Sequence, residues 1–458
     1  MIGTINRRAV WLILPMIICW ITGCATSRPE ARPTPAHANR IESNLIPPSV
    51  PSMAGVAYDE LWVVESPSSR PSVDLEGQAG SGTLLTQRGP NFVFCPLVKT
   101  NIKANVVGCI ASVDVSQRFQ NPNREPTEAT YTFPLPANAA VCDFVMSIGP
   151  RHIRGVIRPR REAEQIYREA RQQGYRASLL VEHAPHLFTQ SIGAIEPQKS
   201  IDIEMRYVEP LAMEDGSFSL RIPLSLRSRA GEVAPTERDG RNISVSVSLD
   251  PGAPLTHIEC TTHPIEVEYA DKKHVHVLLQ PSDQIPNRQM VLGYQLAGGP
   301  VLPGLFTHVK GNGGFAALML AAPLNAAKGL AVRDLKITWT GTQVQTLAPG
   351  APADLPAGRS EVFIGRFTGP APTSANLSGH TANGGEFLIE VPAQADPGDG
   401  VALENVWARM SVAALLLEQP QKDPGSLESQ ITRIAMESGL VSPFTAYVCV
   451  DATAPTPH

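Results

Sequence analysis

The chain has 458 residues, enough for two or three domains with a sizeable apolar core. Its net charge of -5, with no basic stripe, excludes a nucleic-acid binder built on phosphate contacts. Seven cysteines, odd in number and scattered, do not make the spaced framework of a disulfide-stapled domain; Cys95 and Cys109 flank a hairpin where they could pair, but small buried hydrophobes in strands is the preferred reading.

Residues 1–24 read as a targeting segment. Arg7-Arg8 is a positive start, and Ala9 to Trp20 is an apolar core too short to span a bilayer comfortably. Ile21-Thr22-Gly23-Cys24 then resembles a bacterial lipobox, which implies cleavage before Cys24 and a lipid on its thiol through a thioether. A diacylglyceryl group plus an acylated amine holds a protein firmly, since one acyl chain alone is marginal. Cys24 is therefore the expected lipidation site, and the cell envelope, with the protein anchored in a membrane, the expected location. Residues 25–90 are rich in proline and serine and form an expected tether. Its one apolar patch, Tyr58 to Val64, docks on the folded part or forms an edge strand in this reading.

From about Val93 the pattern changes. Val106 to Phe119 reads as strand, and Val141, Phe144 and Met146 begin another that stops at Gly149-Pro150. Arg160 to Gln173 reads as one short helix: Ala163, Ile166, Tyr167 and Ala170 fall on one apolar stripe, Glu164 lies four residues before Arg168, and Gly174 ends it. Ile201, Ile203 and Met205 alternate with Asp202 and Glu204, the mark of a half-buried strand.

This order resembles the VIT domain, the vault protein inter-alpha-trypsin domain. The residues that carry the resemblance are Pro134-Leu135-Pro136, Ala140-Val141, Phe144, Ile148-Gly149, Ile153-Arg154-Gly155, Glu162-Ala163, Tyr167, Ala170, Gly174, Ala177, Leu180, Phe188, Ile195 to Pro197 and Tyr207. The domain is expected over residues 91–225. The resemblance implies a following von Willebrand factor type A domain.

The rest of the chain is strand-rich. Ile243 to Leu249, Val275 to Leu279, Met290 to Leu296, Phe315 to Leu320, Leu335 to Trp339 and Phe387 to Val391 are expected strands between glycine and proline breaks. Residues 226–396 are expected to form one β-sandwich, and residues 397–458 a helical segment with a final strand. Leu403, Val406, Trp407, Met410, Ala414 and Leu417 have helical spacing; Ser426 is the expected cap of a second helix carrying Ile431, Ile434 and Ala435; Tyr447, Cys449 and Asp451 alternate in the last strand. The fold class is thus mainly β with minor α: β-sandwich domains, one short helix in the VIT region and two helices near the C-terminus. Ile364-Gly365-Arg366-Phe367, Trp407-Ala408-Arg409 and Gly439 to Asp451 resemble the regions that follow the type A domain in VIT and type A proteins.

A type A domain binds its cation through Asp-x-Ser-x-Ser, oxygen ligands that suit a hard metal. Asp215-Gly216-Ser217-Phe218-Ser219 matches the text, but no apolar strand precedes it, and Asp215-Gly216 is a hairpin signal between Met205-Arg206-Tyr207 and Phe218-Leu220-Ile222. After Pro323 the chain passes through Asn325-Ala326-Ala327-Lys328 straight to the next strand, so the type A domain is expected to be absent. His183 and His186 lack a third ligand, and His274 and His276 share one strand face. Arg151, Arg154, Arg158, Arg160 and Arg161 cluster around the helix start, where a solvated face is the plain reading. No serine-hydrolase elbow, phosphate loop or supported Cys/His pair is present in the sequence. The sequence therefore points to a non-enzymatic, lipid-anchored envelope protein with an interaction or scaffolding role toward an unidentified protein partner, without catalytic, cofactor or metal residues. The alternatives are a metal-binding envelope protein using His274 and His276, or a regulator or subunit of an envelope hydrolase.

Overall fold

The computed structural model describes residues 83–88, 91–125, 127–136, 139–149, 151–173, 175–184, 187–224, 243–282, 289–297, 301–322, 330–348, 350, 354–381, 383–395, 400–417 and 423–455. These are mainly strands, with three helices: α1 (Arg160–Gln172), α2 (Val401–Leu417) and α3 (Pro424–Glu437).

Two sheets hold the VIT-like region. The first runs Asn91–Phe94, Thr83–Arg88, Thr127–Pro134, Leu187–Ile195, Tyr175–Ala184, Thr445–Pro455, Val156–Pro159. The second runs Ile265–Tyr269, Val275–Leu279, Ile243–Asp250, Leu97–Val107, Ile110–Gln120, Ser200–Pro210, Ala140–Ile148, Arg151–Arg154. Ile201, Ile203, Met205 and Tyr207 are buried while Asp202, Glu204 and Arg206 are partly exposed, as a period of two requires. Aromatic rings join the sheets. Tyr131 lies edge-on to Phe119 at 5.9 Å, and Phe133 is 6.5 Å from Tyr207. A buried polar thread runs beside them: the Tyr131 hydroxyl donates to Gln117 Oε1 at 2.8 Å, and Gln117 Nε2 donates to Thr100 Oγ1 at 3.3 Å. Such groups keep their hydrogen bonds because leaving water without them is costly.

Helix α1 buries Ala163, Tyr167 and Ala170 and leaves Arg161, Gln165 and Arg168 exposed, so its apolar stripe does what the spacing implies. The strands on either side of it, Val156–Pro159 and Tyr175–Ala184, are not neighbours. Thr445–Pro455 lies between them, antiparallel to both. Tyr447 pairs with Ile157 on one side and Leu180 on the other. Ala446 and Val448 are fully buried there, and the Tyr447 hydroxyl donates to the Gly439 carbonyl at 2.6 Å.

The stretch expected as one sandwich, residues 226–396, is divided among sheets. Ile243–Asp250 pairs in parallel with Thr100–Val107 and brings Val275–Leu279 and Ile265–Tyr269 into the second sheet. A third sheet runs Met213–Glu214, Ser217–Ile222, Met290–Leu296, Leu255–Cys260. Residues 302–395 make the fourth: Gln345–Ala348, Arg359–Thr368, Gly313–Ala322, Leu302–Val309, Glu386–Ala395, Ser374–Thr381, Leu330–Thr340, Leu355–Pro356. The physical reason is that alternation reports which face of a strand is buried, not which strand it pairs with. The two strands around residues 323–329, Gly313–Ala322 and Leu330–Thr340, contribute Leu318 and Leu320, and Val332 and Trp339, to one core.

Two local expectations change. Asp215 and Gly216 both take positive φ, 49° and 80°, and make the tight hairpin turn, but it joins Met213–Glu214 to Ser217–Ile222, which pairs with Met290–Leu296. The chain leaves the second sheet at Pro210, ahead of the turn. Helix α3 is capped by Asp423, whose carboxylate accepts from the Ser426 N–H, with Pro424 just inside the start; Ser426 is the capped residue, not the cap.

Tyr167→Ala is expected to lower stability by about 3 kcal/mol or more, the scale for emptying a buried aromatic site. Urea unfolding of the full chain checks this, and a loss below about 0.5 kcal/mol, typical of surface positions, would remove Tyr167 from the core.

Candidate interaction groove

Several residues singled out by sequence fall outside what the structure describes: Cys24, His186 and the side chains of His183 and Arg151. His276 lies in the strand Val275–Leu279 and His274 just precedes it. His274 Nδ1 lies 2.6 Å from Asp271 Oδ2 and its Nε2 lies 3.4 Å from Asp250 Oδ2, and these carboxylates raise its pKa. Asp271 is held down at about 2, first by the Lys273 backbone N–H and then by His274. His276 Nδ1 is 3.3 Å from the Ser248 hydroxyl. Among the described residues, no three His, Cys, Asp or Glu side chains gather as metal ligands.

The arginine cluster is dispersed into pairs. Arg154 meets Asp143 at 2.9 Å, Arg158 meets Glu162 at 3.3 Å, and Arg160 meets Glu164 at 3.2 Å. Arg158 is largely buried, and desolvation lowers its pKa. Only Arg161 is broadly exposed among these four. No single basic face results.

The groove lies between the fourth sheet and the helices α2 and α3, with a volume of about 700 Å³. Its sheet wall presents Lys310, Phe315 and Arg366; its helix wall presents Glu404 and Trp407 from α2 and Glu437 and Ser438 at the end of α3. Lys310 Nζ meets Glu404 at 2.6 Å, and Arg366 Nη1 meets Glu437 at 3.1 Å. Arg433 also reaches Glu437, at 3.7 Å. The Arg366 guanidinium sits 5.2 Å from the Trp407 ring and 5.7 Å from the Phe315 ring, within cation–π range. The two rings are 5.6 Å apart. The sequence named Arg366 and Trp407 only within separate motifs. That those motifs flank the same place was the one available signal; Lys310, Glu404 and Glu437 carried none of their own.

Strongly shifted titratable groups lie elsewhere, in the cores. Burial pushes the Cys95 and Cys109 thiols up to about 12, so both stay protonated and unreactive. Burial pushes Glu209 up to about 8; it is 6 % exposed and its Oε1 has no hydrogen-bond partner. Tyr207, buried beside it, is raised as well. Shifted groups mark function when they line a cleft, and none of these lines the groove. Among the described residues no helix is long and apolar enough to cross a membrane.

Residues 97–207 match the model of the Vault protein inter-alpha-trypsin domain, so the chain carries a VIT domain. Protein mono-ADP-ribosyltransferase PARP4 of Mus musculus is 38% identical over 144 residues, 31% of this chain and 7% of that protein. Its Homo sapiens counterpart is 39% identical over 118 residues, 26% of this chain and 7% of that protein. Von Willebrand factor A domain-containing protein 5A of Mus musculus is 28% identical over 137 residues, 29% of this chain and 17% of that protein. The chain thus matches less than a fifth of the length of each of these relatives, and the likeness concerns a domain, not a whole protein. A solved Legionella pneumophila structure, described as a candidate nutrient-binding protein, aligns at 12% identity and a TM-score of 0.29, over 48% of this chain and 72% of that one; such a likeness carries no argument.

Glu209 makes the fold pH-dependent. Its ordinary pKa is 4.5 and its folded pKa is about 8, so the stability linked to its proton is fully present below 4.5 and is lost as pH rises through 8. Glu209→Gln is expected to flatten this slope, a difference on the order of a few kcal/mol at pH 8. Urea midpoints of both chains at pH 5 and pH 8 measure it; identical slopes would mean that Glu209 ionises freely in the fold.

Proposed function

We propose that this protein is a lipid-anchored envelope protein that binds other proteins and catalyses no reaction. The VIT domain supports an interaction role, as do relatives whose names carry the von Willebrand factor A domain. The matched part of PARP4 is 7% of that protein, too little to bring its transferase activity here. The observation that carries the reading is the chemistry of the groove. Its acids and bases are already matched across two walls, and the described residues that line it include no cysteine or histidine to act as or activate a nucleophile. Only seven residues, 323–329, separate two strands of one core where a type A domain would enter, so the interaction role belongs to the VIT domain and its β-rich partner. The anchor rests on the sequence around Cys24.

Cys24→Ser cannot form the thioether, so the variant should leave the membrane fraction and lack the added lipid mass. A variant still on membranes with unchanged mass would overturn the anchor. Proximity labelling by the full chain in its native envelope should mark a recurring set of proteins; labelling no different from that of an unrelated anchored control would overturn the interaction role.

A further inference from the structure

The two walls of the groove carry charges of opposite sign. Lys310 and Arg366 stand on the sheet side, Glu404 and Glu437 on the helix side. Every charge is paired across the gap; the Arg366–Glu437 pair is open to water at 46% and 43% exposure, while Lys310 at 37% meets a more buried Glu404 at 13%. An ion pair as exposed as Arg366–Glu437 contributes little and exchanges partners readily. The Ser438 hydroxyl, in a residue 9% exposed, is buried on the helix wall with no hydrogen-bond partner, an arrangement that is costly unless something supplies one.

We propose that the groove binds short zwitterionic peptides, with the carboxylate on Lys310 and Arg366, the ammonium on Glu404 and Glu437, and a main-chain group on the Ser438 hydroxyl. The charge arrangement selects this class. A ligand carrying only an anion breaks a pair and leaves a glutamate facing it. A ligand carrying only a cation does the same to Lys310 or Arg366. A dipolar ligand supplies both signs at once, its carboxylate shared by the two cations and its ammonium by the two glutamates, so neither wall is left facing only like charge. The volume of about 700 Å³ lies within the range of small-molecule sites. Arg366 is held in place by Trp407 and Phe315, so its guanidinium needs little ordering to receive a carboxylate. This goes beyond the scaffolding role and stands without it.

The test is calorimetric titration of the full chain in detergent with alanyl-leucine, N-acetyl-alanyl-leucine and alanyl-leucine amide. The free dipeptide should bind, and capping either end should weaken it about tenfold or more, the worth of a charged hydrogen bond. Glu404→Gln and Arg366→Gln should each weaken the free dipeptide by a similar factor while unfolding as the parent does. Should either variant fold poorly, the capped ligands on the unaltered chain decide alone. Equal binding of free and capped forms, no heat from the free dipeptide at millimolar concentration, or saturable binding of inorganic phosphate in its place would each overturn the proposal.

Discussion

The strand Gly313–Ala322 is buried at every position, and the rest of the structure is arranged around that fact. Phe315, Ala317, Met319 and Ala321 face the core shared by the VIT sheets and the helices; Ala316, Leu318, Leu320 and Ala322 face the core of the fourth sheet. A strand apolar on both faces cannot lie at a solvated surface, so it commits two bodies to each other. The contact is close: Met319 Sδ accepts the Cys109 N–H at 3.1 Å. Gly108 beside it takes φ of +58°, a left-handed conformation that favours glycine, and a Cβ there would press on the end of the Met319 side chain.

The electrostatics follow the same division. Charges that lie within the packed sheets are matched locally, as Arg154 is with Asp143 and Arg206 with Asp114 at 2.7 Å. Charges where the bodies meet are matched across the joint, Lys310 with Glu404 and Arg366 with Glu437. The groove is therefore a product of the junction. Its aromatic floor comes from Phe315 of the two-faced strand and Trp407 of α2, one from each side.

Much of the local structure was legible in sequence. The stripe of Ala163, Tyr167 and Ala170, the alternation through Tyr207 and the Asp215-Gly216 turn each depend on a few consecutive residues, and each formed. What sequence could not supply was pairing across long separations. Nothing in Ile243 to Asp250 says that it lies parallel to Thr100–Val107, and nothing in Thr445 to Pro455 says that it sits beside residues near 156 and 180. The groove was hidden for the same reason. Its two ion pairs join positions 94 and 71 residues apart, and a lone lysine or glutamate on a surface carries no sign of its partner.

The placement of Thr445–Pro455 bears on how the protein comes into being. Residues 97–207 carry the VIT match, yet their first sheet has a vacant slot until a segment from position 445 onward is made. During synthesis the edges beside that slot remain unpaired while the intervening chain emerges, and unpaired edges invite adhesion to other chains. A nascent chain of this design has to be kept from sticking until its closing strand arrives. The late strand thus ties completion of the VIT domain to synthesis of residues 445–455.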